Sequence, residues 1–218
     1  MKKKVLIISA LSAVIVIIAL IAVGVIAMNN GYSVTDINDK TVVAVVNGKK
    51  INAGDLNSIR MSIALAGSDY VSTEKELLDI VIKDYVIEDY VAENGYVYEE
   101  ENEDLTVYEI EDDSQEYSSP LGLTVAEYEE IGRRNHKKNK IYAQYLRQVV
   151  GPLLSGEIKL DNEKAIELQA KYQEQIETGD LENMDWDIMN KCSLELLELF
   201  TQHLVDEADV VIYEDRLN

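Results

Sequence analysis

The sequence predicts a mainly α-helical domain closed by a small two-stranded sheet from its two ends, preceded by one transmembrane helix. Three observations lead there. An uncharged run of 24 residues, Val5 to Met28, follows Met1-Lys2-Lys3-Lys4. Five stretches beyond it carry apolar residues at helical spacing. Two short β-branched stretches, 42–46 (VVAVV) and 209–213 (DVVIY), bracket those helices. A lone strand leaves its backbone groups unpaired, which costs free energy wherever they are buried. Pairing the two stretches with each other removes that cost.

The leading run is long enough to span a bilayer, since about 20 apolar residues cross the hydrocarbon core at about 1.5 Å rise per residue. It exceeds the apolar region of about 7–15 residues found in signal peptides. An uncleaved signal anchor is therefore expected, although Val25 and Ala27 occupy the small positions of a cleavage-like site. No Cys near the end of the run offers a point for lipid attachment. Three lysines precede the run and the next base is Lys40, so the positive-inside bias places the N-terminus in the cytoplasm and residues 29–218 outside. The bilayer is thus an expected partner through residues 5–28. Residues 29–40 (NNGYSVTDINDK) are expected to be a polar tether, and 41–218 the folded domain.

Charge narrows the classes of partner. The chain holds 20 basic and 41 acidic residues, net −21, and only 17 of the bases lie beyond the apolar run. Such a surface repels nucleic acid and anionic lipid. Cys192 is the single cysteine, so no intrachain disulfide can form. Thirteen tyrosines stand against one phenylalanine. Tyrosine joins an apolar ring to a polar tip, which points to a thin core or a half-exposed apolar surface.

Each element has its own signal. After 42–46, Asn47-Gly48 marks a tight turn and Lys49-Lys50-Ile51 resumes an extended stretch. A helix over about 53–66 carries Leu56, Ile59, Ile63 and Ala66 on one side, and Gly67-Ser68 ends it. Ser72 or Thr73 is expected to cap a helix over 74–94, with Glu76 three residues after Thr73 as in a capping box. Leu78, Val81, Ile82, Tyr85 and Val86 give that helix an apolar stripe that Leu77, Ile80, Ile87 and Val91 widen, and Asn94-Gly95 stops it. Residues 99–118 form an acidic insertion; 99–116 alone holds ten acids and no base. Its spacing matches no calcium loop, and a solvated segment is expected. Thr124 with Glu127 caps a helix over 124–149, which carries Arg133, Arg134, Lys137, Lys138, Lys140 and Arg147. Gly151-Pro152 is expected to stop it. A helix over 161–177 is capped by Asp161, and a last one covers 185–207. Cys192 lies on the apolar stripe of that last helix and reads as a core residue.

No catalytic motif emerges. The chain lacks G-x-S-x-G, H-E-x-x-H, a glycine-rich phosphate loop and C-x-x-C. Its two histidines, His136 and His203, and one cysteine cannot build an ordinary zinc site without carboxylates. No enzyme activity and no cofactor or metal is expected.

Several segments resemble one family in their order along the chain. VVAVVNGKKINAGDL resembles the opening of the SurA/PrsA family of extracytoplasmic chaperones: a strand ending in V-N-G, a basic residue, an apolar residue and a helix start. ELLDIVIKDYVIEDYVAENGYVYEEE is similar to the family's second helix and the acidic segment after it. GLTVAEYEEIGRRNHKKNKIYAQYL is similar to the following basic helix, and HLVDEADVVIYEDRLN to the closing helix and strand. The resemblance covers about 41–150 and 190–218. It implies a SurA N-terminal-like helical fold and transient holding of unfolded or nascent exported proteins. Many members carry a parvulin-type prolyl isomerase between these parts. Here only residues 151–190 fill that gap, too few for the module, and neither histidine lies in a strand motif. A holding chaperone without the isomerase is therefore expected, with Ile59, Ile63, Tyr85, Tyr90, Tyr128, Tyr142 and Tyr145 as client-contact residues. The alternative is a non-catalytic adaptor of an envelope complex, docking an acidic partner through Arg133, Arg134, Lys137 and Lys138. A bland role competes for those bases: neutralising the chain's own acids. A residual prolyl isomerase is the third reading.

Overall fold

Asn47 and Gly48 both adopt positive φ, 50° and 80°, as the two central residues of a type I′ turn require. They join β1 (Val42–Val46) to β2 (Lys49–Asn52) in an antiparallel hairpin. In this computed structural model, residues 36–66, 73–99, 122–178 and 186–217 are described. The apolar run at 5–28, the acidic insertion beyond Glu99 and the stop at Gly67-Ser68 lie outside them. Among the described residues no helix is long and apolar enough to cross a membrane.

The chain's last strand, β3 (Val210–Ile212), pairs antiparallel with the other side of β1, placing Val45 opposite Val211 and Ala44 opposite Ile212. The two ends of the domain therefore meet, as the β-branched stretches predicted. Among the described residues the sheet has three strands rather than two, in the order β2-β1-β3. The extended stretch after Asn47-Gly48 does not merely lead into a helix. The turn folds it back along β1, where Ile51 is fully buried. A single turn of 3-10 helix, Glu214–Arg216, follows β3.

Five α-helices complete the described fold: α1 (Ala53–Leu65), α2 (Glu74–Glu93), α3 (Val125–Ser155), α4 (Glu163–Thr178) and α5 (Trp186–Glu207). Both capping boxes read from the sequence are formed. Thr73 N–H donates to Glu76 Oε2 at 2.7 Å, and Glu76 N–H returns a bond to Thr73 Oγ1. Thr124 and Glu127 repeat the arrangement at the start of α3. At the end of α2, Gly95 takes φ +87°; its N–H reaches Ala92 O while Tyr96 N–H reaches Val91 O. That is a Schellman termination, which the Asn94-Gly95 pair foretold.

Three expectations are corrected. First, residues 36–40 are not part of a loose tether. Ile37 is 1% exposed and packs with Met61, Leu123 and Ile131. Gly54 N–H and Ala53 N–H bond Asp39 O and Thr41 O. One apolar side chain in a polar stretch is enough to anchor it.

Second, α3 does not stop at Gly151-Pro152 but continues to Ser155. A proline inside a helix costs about 3 kcal/mol or more. Burying Leu153 and Leu154 (1% and 5% exposed) returns about 1.5–3 kcal/mol each, so continuation wins. Gln169 Nε2 donates to Leu153 O and Ile158 O, and Gln173 Nε2 to Leu154 O. These side chains satisfy carbonyls that a helix end otherwise leaves open.

Third, the cap of α4 is Asn162 rather than Asp161. Its Oδ1 accepts from Ala165 N–H and its backbone O from Ile166 N–H.

The chain divides into two compact units. Among the described residues, one comprises 36–66, 73–84, 98–99, 122–140 and 209–217; the other comprises 85–97, 141–178 and 186–208. The first holds the sheet, α1 and the N-terminal parts of α2 and α3. The second holds the remainder of those two helices with α4 and α5.

Candidate interaction surfaces

The proposed client-contact residues are divided between the units. Ile59, Ile63 and Tyr128 belong to the first, Tyr85, Tyr90, Tyr142 and Tyr145 to the second. Ile59 and Ile63 lie one turn apart on α1, and both are half-buried. Tyr85, Tyr90, Tyr128 and Tyr142 are also half-buried, which leaves part of each ring available for contact.

Tyr145 is a correction, because it is a core residue at 0% exposure. Its ring lies edge-on to Tyr90 with centroids 5.8 Å apart and stacks on Phe200 at 6.3 Å. Tyr90 also meets Phe200 edge-on at 5.4 Å. Thr201 Oγ1 donates to Leu197 O at 2.8 Å, so Tyr145 Oη donates to Thr201 Oγ1 at 2.9 Å. Burial holds the Tyr145 phenol far above its ordinary pKa, and burial raises Tyr90 as well. Sequence periodicity placed Tyr145 on the apolar side of its helix. It could not tell a ring that closes the core from one that rims it.

The basic face of α3 is spent largely within the chain. Arg134 Nε meets Glu130 Oε1 at 2.8 Å and its Nη1 lies 3.6 Å from Asp55 Oδ1. Arg133 Nη2 meets Glu130 Oε2 at 3.3 Å, and Lys138 Nζ meets Asp84 Oδ2 at 2.8 Å. Lys137 is half-buried on the same helix. Burial alone would raise the Glu130 pKa, but Arg134 and then Arg133 outweigh it and hold the carboxyl below its usual range. Three of the four proposed docking bases thus neutralise acids of their own unit.

Two features escaped the sequence reading. Between α4 and α5, a cleft of about 200 Å³ is lined by Lys164, Lys171, Lys191, Glu167, Glu195 and Cys192, among others. Lys164 Nζ reaches Glu195 Oε2 at 2.8 Å, and Lys191 approaches the same carboxylate. Cys192 is buried, and burial pushes its thiol pKa up despite Lys171. A raised thiol is a poor nucleophile. The second feature is the outer side of β3, where Val211 and Ile212 stay 46% and 38% exposed. Among the described residues no group of three or more His, Cys, Asp or Glu side chains is placed to hold a metal ion.

No protein-family model, curated protein or solved structure matches this chain.

Proposed function

We propose that this chain is a membrane-anchored, extracytoplasmic chaperone-like protein of the SurA/PrsA type without the parvulin module. It would hold unfolded or nascent exported proteins transiently, with the bulk of the chain outside the membrane. The observation that carries this reading is the pairing of β1 with β3. A V-N-G hairpin opens the domain, the last strand returns to its first, and five helices are described between them. That is the order of segments on which the family resemblance rests.

Holding needs weak, reversible contact. Apolar burial contributes about 25 cal/mol per Å², and ordering costs subtract from it. A few half-exposed side chains such as Ile59, Ile63, Tyr85, Tyr90, Tyr128 and Tyr142 fit such capture. Tethering through residues 5–28 would raise the effective concentration near sites of export. The adaptor reading loses ground because Arg133, Arg134 and Lys138 already face internal acids.

The test uses the full chain in nanodiscs. It should suppress aggregation of several unrelated unfolded proteins and leave cis/trans exchange of a proline peptide unaccelerated. Selective capture of one partner, with no suppression, would replace this reading with the adaptor. Faster proline exchange would replace it with the isomerase.

A further inference from the structure

Among the described residues the three-stranded sheet has two outer edges of opposite character. β2 presents Lys49 and Lys50, both exposed. Lysines on an edge strand are a recurrent device against unwanted pairing. β3 reads Val-Val-Ile, with no charge, no proline and no bulge.

The hydrogen bonds fix which backbone groups of β3 point outward. Asn47 N–H donates to Asp209 O at 2.9 Å, and Tyr213 N–H to Val43 O at 2.9 Å. Asp209 N–H is taken by Asn47 Oδ1. Residues 209, 211 and 213 therefore face β1, and alternation turns the N–H and C=O groups of Val210 and Ile212 away from it. Two donors and two acceptors thus lie along an apolar outer edge. Charge flanks this edge: Asp209 precedes it, Glu214 and Asp215 follow it, and all three are exposed. Arg216, which follows these acids, bonds Val42 O and sits 4.4 Å from the Tyr213 ring centroid.

We propose that the open edge of β3 binds an extended apolar segment flanked by basic residues, which joins the sheet as a fourth strand. Backbone bonds to Val210 and Ile212 set the register. Val211 and Ile212 supply apolar contact on the two faces. Asp209, Glu214 and Asp215 select basic flanks and disfavour a second copy of β3, whose acids would repel them. This site is separate from the half-buried tyrosines, and it stands whether the protein holds many clients or docks one.

The probe is a synthetic peptide of alternating Val and Thr with two Lys at each end, titrated against the full chain in nanodiscs. Binding should weaken with added salt and be stronger than for the same peptide with Glu ends. Amide exchange at Val210 and Ile212 should slow when the peptide is bound. Ile212→Pro removes an outward donor without touching the inward ladder, a replacement that edge strands tolerate. It should weaken binding by about tenfold or more. Protection of the Asn47 amide reports that β3 still pairs in that variant. Should that protection vanish, the double variant Glu214→Gln, Asp215→Asn carries the test instead, and it should abolish the preference for Lys ends. Unchanged affinity in a variant that keeps β3 paired, or equal affinity for both peptides, overturns the proposal. So does a concentration-dependent dimer of the full chain that Ile212→Pro removes, because the occupant is then a second copy. Loss of aggregation suppression with peptide binding intact would sink the chaperone reading alone.

Discussion

The unit that contains the sheet is closed by backbone bonds between residues distant in sequence, such as Asn47 N–H to Asp209 O across 162 positions of the chain. The other unit is closed by side chains on helices, centred on the Tyr90, Tyr145 and Phe200 rings and the buried Leu196. The two solutions respond differently to damage. A strand ladder fails when its partner strand is removed. An interlocked ring cluster fails when one ring is removed, since the neighbours relax only partly into the gap. The comparison also bears on folding order. Pairing β1 with β3 needs closure of nearly the whole domain, and such long-range pairing comes late.

The harshest way to break this contrast is to delete residues 209–218. β1 would lose one neighbour, and Val43, Ala44 and Val46 would lose cover. Native-state hydrogen exchange should show the sheet unit losing more than about 4 kcal/mol of protection, while Val149 and Leu196 keep theirs. Equal loss in both units would show that they do not open separately.

Next in size is Tyr145→Ala, expected to cost about 3–5 kcal/mol by denaturant titration, in the range for large core rings. Tyr145→Phe keeps the ring and loses only the bond to Thr201, about 1 kcal/mol. Equal costs for the two variants would mean that the hydroxyl, not the ring packing, closes that unit.

Gly54→Ala probes the sheet unit from its other side. An added Cβ would stand 2.5 Å from Ile37 O and 2.9 Å from Asp39 O. Backbone must move, at a cost of about 1–3 kcal/mol. A neutral result would show that residues 36–40 are not held against α1.

The smallest effects come from the helix caps. Thr73→Ala and Thr124→Ala should each cost about 1 kcal/mol. The Glu127 carboxylate accepts from the Thr124 backbone N–H and then its hydroxyl, which holds it below its ordinary pKa. The capping contribution is therefore present above the ordinary carboxylate pKa and is lost as pH falls through the lowered one. Thermal melts across that acid range should show a shallower loss for Glu127→Gln than for the native chain.

Much of the local structure was legible because its causes are local. Asn47-Gly48 can take positive φ where bulkier residues cannot, so the hairpin turn stands where the dipeptide stands. Thr73 with Glu76, Thr124 with Glu127 and Asn94-Gly95 carry complete sets of capping groups within a few residues. Apart from the α4 cap, a local miss by one residue, the errors arose where a distant partner reversed a local preference. Pro152 signals a break, yet Leu153, Leu154 and the Gln169 and Gln173 amides hold the helix together across it. Ile37 sits in a polar run, yet Met61, Leu123 and Ile131 receive it. Of the candidate contact residues, Tyr145 was misjudged for the same reason. Its helical position was visible in the sequence, and Phe200 and Thr201 above it were not.

The sequence by itself determined where α2 and α3 start and where the hairpin turns, since each follows from backbone groups satisfied within a few residues, and that two β-branched stretches needed partners, since a lone buried strand leaves its own groups open. Only the tertiary structure decided that β1 lies in the middle of three strands, that β3 keeps an uncharged outer edge, that Tyr145 is sealed and that the bases of α3 answer internal acids. Those outcomes depend on which surfaces meet across the fold, and side-chain burial and charge pairing acquire their sign only when that meeting is complete.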